Sequence, residues 1–200
     1  GAKYSFFLLF TLSLPILLET EQILRLWLKI VPDYTVIFTR LVIINVLIDC
    51  ISGPLMTAAQ ASGKIKLYQS VIGGLLILNL PISYLFLKFG FQPQVTIFVS
   101  IGISVLALIL RLLILRNLVK LKFENFFYQV ILKIIIVGIF ATIIPLLFSI
   151  FMDISIHRFV IVTLTSIVSS LSVIFFLGLS NDERIYFING LKKLKTKIIQ

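Results

Sequence analysis

Histidine, cysteine and tryptophan occur once each in 200 residues, and aspartate and glutamate together number eight. Each shortage excludes a class of chemistry. A lone Cys50 makes no intrachain disulfide, and inside an apolar stretch it reads as a small buried filler. The lone His157 sits beside Arg158 in a loop, with no Cys, Asp or Glu at metal-ligand spacing, so it reads as an interfacial loop residue and no metal site is expected. There is no nucleophile elbow, no phosphate-cradling glycine loop and no pair of carboxylates deep in one apolar stretch. Glu19 and Glu21 are close in sequence, but with Arg25 and Lys29 beside them they are expected in a solvated interface. The large charged loops on which membrane glycosyltransferases, polymerases and ligases build their sites are absent as well. No catalytic residue and no cofactor is expected, and the chain is not expected to be an enzyme.

What is abundant is apolar surface. Hydrophobic residues make up 60% of the chain and charged residues 13%, about half the charged share of a soluble domain. One core cannot enclose that much apolar side chain, so the expected fold class is all-α, a polytopic membrane helix bundle. Spanning a hydrocarbon core of about 30 Å takes about 20 residues of helix. Six stretches approach or exceed that length: residues 4–18, 34–62, 67–88, 95–115, 126–151 and 159–179. Together they form a single transmembrane lobe over 1–180. Residues 19–30 alternate Ile23, Leu24, Leu26 and Trp27 with charged and polar residues, which predicts a short interfacial helix anchored by Trp27. Gly53-Pro54 predicts a kink within the second span. Residues 181–200 read as a basic, surface-lying cytoplasmic tail. The chain opens at Gly1, with no initiator methionine and no signal-peptide charge pattern ahead of its first apolar run. An upstream part is therefore expected to be missing.

The net charge of +10 is distributed by side. Thirteen Lys and Arg fall at the two termini and in the loops after the second and fourth spans, against five on the other side, which accounts for all eighteen. By the positive-inside rule both ends are cytoplasmic. The positive balance then faces membrane lipids with anionic headgroups, and no nucleic-acid partner is needed.

Within the second span, Asn45, Asp49, Ser52, Met56, Gln60 and Gly63 fall within roughly 60° of Asp49 on a helical wheel, with Arg40 near the opposite side. Ionisable groups at membrane depth cost at least about 2.5 kcal/mol each on insertion scales and are functional candidates by default. Arg40 has two readings: it snorkels to the outer interface, or it faces an aqueous cavity and an anionic substrate. Asp49 has three: a neutral hydrogen-bonded acid, a partner for a cation on another helix, or a carboxylate coupled to protons or sodium. Arg40, Asn45, Asp49, Ser52 and Gln60 are the candidate lining of a cavity or substrate path. Packing against neighbouring helices is the competing role for each. Gln69, Asn79, Ser83 and Tyr84 add polarity to the third span. Lys133, about two turns into the fifth, is expected to snorkel. The hydroxyl residues of the sixth span, Thr163 to Ser172, are expected to serve close helix packing.

The stretches LSLPILLETEQILRLWLKIVPDYT, ISGPLMTAAQASGKIKLYQ and LNLPISYLFLKFGFQPQ resemble the C-terminal half of bacterial polysaccharide flippases. These are O-antigen or capsule repeat-unit translocases of the multidrug/oligosaccharidyl-lipid/polysaccharide exporter superfamily. The resemblance covers about residues 4–120, and its most specific part is the I-L-x-L-W-L run at Ile23–Leu28 with Pro32. It implies one lobe of a twelve- or fourteen-helix transporter that turns an undecaprenyl-diphosphate-linked oligosaccharide across the inner membrane for surface polysaccharide biosynthesis. The implied partners are that lipid-linked oligosaccharide and the N-terminal half of the same chain. A cationic cavity residue would receive the diphosphate, and Arg40 is the best placed. The alternatives are a multidrug/cation antiporter of the same superfamily, in which Asp49 would matter more, and a membrane enzyme of polysaccharide assembly such as a polymerase.

Overall fold

The computed structural model describes residues 1–28, 30–63, 65–119, 122–187 and 189. Among them every regular element is helical. In chain order these are α1 (Ala2–Leu18), α2 (Thr20–Trp27), α3 (Thr35–Ala61), α4 (Ile65–Ile77), α5 (Asn79–Lys88), α6 (Val95–Val119), α7 (Phe123–Phe126), a π-turn at Phe127–Ile131, α8 (Leu132–Phe151), α9 (Ile156–Val173) and a second π-turn at Ile174–Gly178. Of the expected tail, residues 181–187 are helical; most of the remainder to 200 lies outside the described residues.

Five helical stretches are long and apolar enough to cross a membrane: Thr35–Ala61, Ile65–Lys88, Val95–Val119, Phe123–Phe151 and Ile156–Gly178. A sixth is reached only if α1 and α2, which meet at a bend of 75°, are taken as one broken span. The physical reason is length. At about 1.5 Å per residue α1 reaches about 25 Å, short of the hydrocarbon thickness. α2 then turns away and leaves Leu26 and Trp27 exposed, Trp27 by 79%. α3 runs unbroken past Pro54. The third apolar stretch is divided into α4 and α5 at Leu78. α3 and α5 are each followed by a glycine in the left-handed region, Gly63 at φ 71° and Gly90 at φ 85°, the conformation that ends a helix cheaply only without a Cβ.

α1 is the hub. It packs on α3, α8 and α9, and its Phe6, Phe7, Phe10 and Leu14 enter one core with Leu47, Ile51 and Leu55 of α3, Leu112 and Leu115 of α6, and Val137 and Ala141 of α8. α3 lies along α6, and α8 along α9. In that second pair the small hydroxyl residues do pack closely. Ser166, Ser169 and Ser170 are buried, and Ser169 Oγ donates to the Ala141 carbonyl across the helix pair at 2.9 Å.

The acidic residues at the α1–α2 bend part company. Glu19, expected in a solvated interface, is fully buried at the α1–α2 bend and pairs with Arg158 of α9 at 2.9 Å. Glu21 and Arg25 stay exposed and pair with each other at 2.6 Å, one turn apart. Glu19 ends the apolar α1, so the bend carries it inward among helices rather than outward with the amphipathic face of α2.

Candidate functional site

An open cleft of about 510 Å³ lies between α3, α5 and α6 and brings six polar residues together. Its polar lining is Asn45, Asn79, Ser83, Tyr84, Thr96 and Ser100, and its apolar lining is Val42, Leu80, Leu87 and Ile97. The helical period places these residues. Asn79 and Ser83 are one turn apart on α5, and Thr96 and Ser100 one turn apart on α6, so each pair shares a face. Asn45 is ten residues into α3, about 15 Å along its axis. The cleft thus lies in the half of the bundle nearer the segments around Pro32 and Gln92.

Two hydrogen bonds fix its walls. Asn45 Nδ2 donates to Ser100 Oγ at 3.3 Å, joining α3 to α6. Ser83 Oγ donates to Asn79 Oδ1 at 3.1 Å along α5. The carbonyl oxygen of Asn45 is buried and has no hydrogen-bond partner. A buried amide oxygen left so costs about 1–3 kcal/mol unless something donates to it. The cleft itself is lined by hydroxyls and amides that both donate and accept, while the Asn45 oxygen sits behind its wall. No charged side chain lines it.

The five residues singled out on the second span do not form one surface. Asn45 lines the cleft. Ser52 is buried, 4% exposed, on the side that packs into the bundle. Asp49 and Gln60 point outward and take no part in the cleft. Arg40 turns to the opposite neighbour: its Nε donates to the Leu17 carbonyl at 3.1 Å and lies 3.4 Å from Thr20 Oγ1 at the α1–α2 bend. The polar stripe runs along the shoulder of α3, where the buried face gives way to the exposed one, and α6 covers part of it. Thr96 and Ser100 escaped the sequence reading. The signal available for them was two hydroxyls four residues apart at the start of an otherwise apolar helix.

Among the described residues no group of His, Cys, Asp and Glu comes together in a way that would hold a metal ion. Comparisons of the chain with protein-family models, with curated proteins and with solved structures give no match.

Proposed function

We propose that this chain is a lobe of a membrane transporter that moves a lipid-linked oligosaccharide across the bilayer, and that the α3–α5–α6 cleft receives its sugar part. The observation that carries the reading is the chemistry of the cleft: amides and hydroxyls on three helices, an aromatic ring at Tyr84 and no charged group. A sugar presents many hydroxyls, each both donor and acceptor, and this is the complement that neutral amides and hydroxyls recognise. The resemblance of residues 4–120 to polysaccharide flippases supplies the same substrate class, the inner-membrane location and a second lobe from the same chain.

The antiporter reading needs a carboxylate in the path. Asp49 lies one helical turn from Asn45 but outside the cleft lining, which favours the oligosaccharide. The test is Asn45→Leu combined with Asn79→Leu in the complete protein in its host. Surface polysaccharide should fall, lipid-linked repeat units should accumulate, and drug resistance should not change. Unaltered polysaccharide with reduced drug resistance would transfer the assignment to the antiporter.

A further inference from the structure

A second polar site lies at the opposite end of the bundle from the cleft, where α1 and α8 both begin. The register there is set by Gly178, which is buried. A Cβ on it would come within 2.8 Å of the Phe7 ring on α1 and 3.2 Å of Val137 Cγ2 on α8. One turn back along each helix, on the same faces, are Lys3 and Lys133. The chain leaving Gly178 brings Ser180, Glu183 and Arg184 across that end.

Glu183 is the one carboxylate in this group, and it is fully used. Lys3 Nζ donates to both its oxygens, at 2.9 and 2.6 Å, and the Ser180 backbone N–H donates to Oε2 at 2.7 Å. The Tyr4 hydroxyl is hydrogen-bonded to it too. Lys133 is half-buried, and the charges that act on it are those of Lys3, Glu183 and Arg184. Arg184 is half-buried as well. One of its terminal nitrogens reaches the Phe176 and Leu179 carbonyls, while its Nε is buried with no hydrogen-bond partner. Three cations and one saturated carboxylate leave a surplus of two positive charges where water is partly excluded. Such a surplus is costly unless an anion joins it.

We infer that Lys3, Lys133 and Arg184 bind a phosphoryl group, carried by an anionic lipid headgroup or free in solution. Lys133 supplies an ammonium with no protein partner among the described residues, Arg184 the charge of its half-buried guanidinium, and Lys3 the N–H that Glu183 leaves over. The inference does not depend on the oligosaccharide reading, since the cleft lies at the other end of the bundle.

The test uses the purified full chain in nanodiscs of phosphatidylcholine, of phosphatidylcholine with phosphatidylglycerol, and of phosphatidylcholine with millimolar inorganic phosphate. Thermal unfolding and native mass spectrometry of retained lipid are the two readouts. Phosphatidylglycerol should raise the unfolding midpoint by several degrees and remain bound on ejection from the nanodisc. A matching rise with inorganic phosphate assigns the site to the free anion as well, and a rise with phosphatidylglycerol alone assigns it to the lipid. Lys133→Gln should at least halve the rise, and Lys133→Arg should keep it. Lys88→Gln, exposed at the far end, is the control for general surface charge and should also keep it. Identical midpoints in all three conditions overturn the site. So does a rise that Lys133→Gln leaves intact, or one that Lys88→Gln reduces as much. Should Lys133→Gln fail to fold, the wild-type comparison of the three conditions and Lys133→Arg still decide.

Discussion

Glu19 and Arg158, 139 residues apart, meet in a buried ion pair of 2.9 Å that joins the end of α1 to the start of α9. Ser155 caps α9 by accepting from the Arg158 backbone N–H at 3.2 Å, which holds the arginine in the first turn. The guanidinium also reaches the Ser149 and Met152 carbonyls at the end of α8, each at 3.4 Å. One side chain thus ties three helix ends together and satisfies carbonyls that α8 cannot pair within itself.

Removing one partner of such a pair leaves a buried charge alone. Arg158→Met is expected to destabilise the fold by about 3–5 kcal/mol, whereas replacing both partners with neutral side chains costs far less. A double-mutant cycle on thermal unfolding in detergent, with Glu19→Gln and Arg158→Met, measures this. Single variants as stable as the wild type would show that the pair contributes nothing.

Lys3–Glu183 ties α1 to the segment after α9 at the other end of the bundle, and it adds a pH dependence. Burial pushes the Glu183 carboxyl up, but the hydrogen bonds from Lys3, Tyr4 and the Ser180 N–H outweigh it and hold the group at about 2, against 4.5 for a free glutamate. A carboxyl depressed in the folded state contributes stability that is complete above its unfolded value. That contribution is lost as pH falls from 4.5 towards about 2. Wild type and Glu183→Gln should therefore differ by an amount on the order of 2 kcal/mol at neutral pH, a tenfold change in proton affinity being worth about 1.4 kcal/mol before solvent screening. The difference should shrink steadily across that acid range. A gap that stays constant between pH 6 and pH 3 counts against this account.

Among the described glycines, Gly178 is the one whose added Cβ would meet its neighbours most closely. Its missing Cβ leaves room for Phe7 Cε2 and Cζ at 2.8 and 2.9 Å and for Val137. Gly178→Ala has to move a ring packed in the core and is expected to cost about 1–3 kcal/mol. Phe7→Leu in the same chain should recover part of that cost, because the ring atoms in the way are gone. Absence of any recovery in thermal unfolding would place the strain elsewhere.

The apolar lengths of the spans made most of the architecture legible, and the switch from apolar to amphipathic pattern after Leu18 marked the bend. Glu19 was not legible. A carboxylate beside Glu21 and Arg25 looks like a member of a solvated group, and its burial depends on an arginine far along the chain. The stripe on α3 was legible as an angle only. A helical wheel orders side chains around one axis but does not say where the neighbouring helices sit. Ser52 is buried, α6 meets Asn45, α1 and α2 meet Arg40, and Asp49 and Gln60 face outward. The cleft needed both walls, and its α6 wall, Thr96 and Ser100, carried too weak a pattern to be singled out.

That division of α3 makes Asn45 the position where function and stability separate. Asn45→Leu loses one 3.3 Å hydrogen bond to Ser100, a net loss of about 1 kcal/mol. It also removes the buried carbonyl that has no partner, which offsets the loss. The thermal midpoint should therefore change little, while, on the function proposed above, transport of the oligosaccharide falls because the cleft loses the Asn45 amide. Asn45→Asp is the sharper probe. It keeps the shape but places a charge in a cleft that no charged side chain lines, at a depth where an isolated charge is costly. Both stability and transport should suffer. If Asn45→Leu transports at the wild-type rate, the sugar does not use this cleft, whatever the stability of the variant.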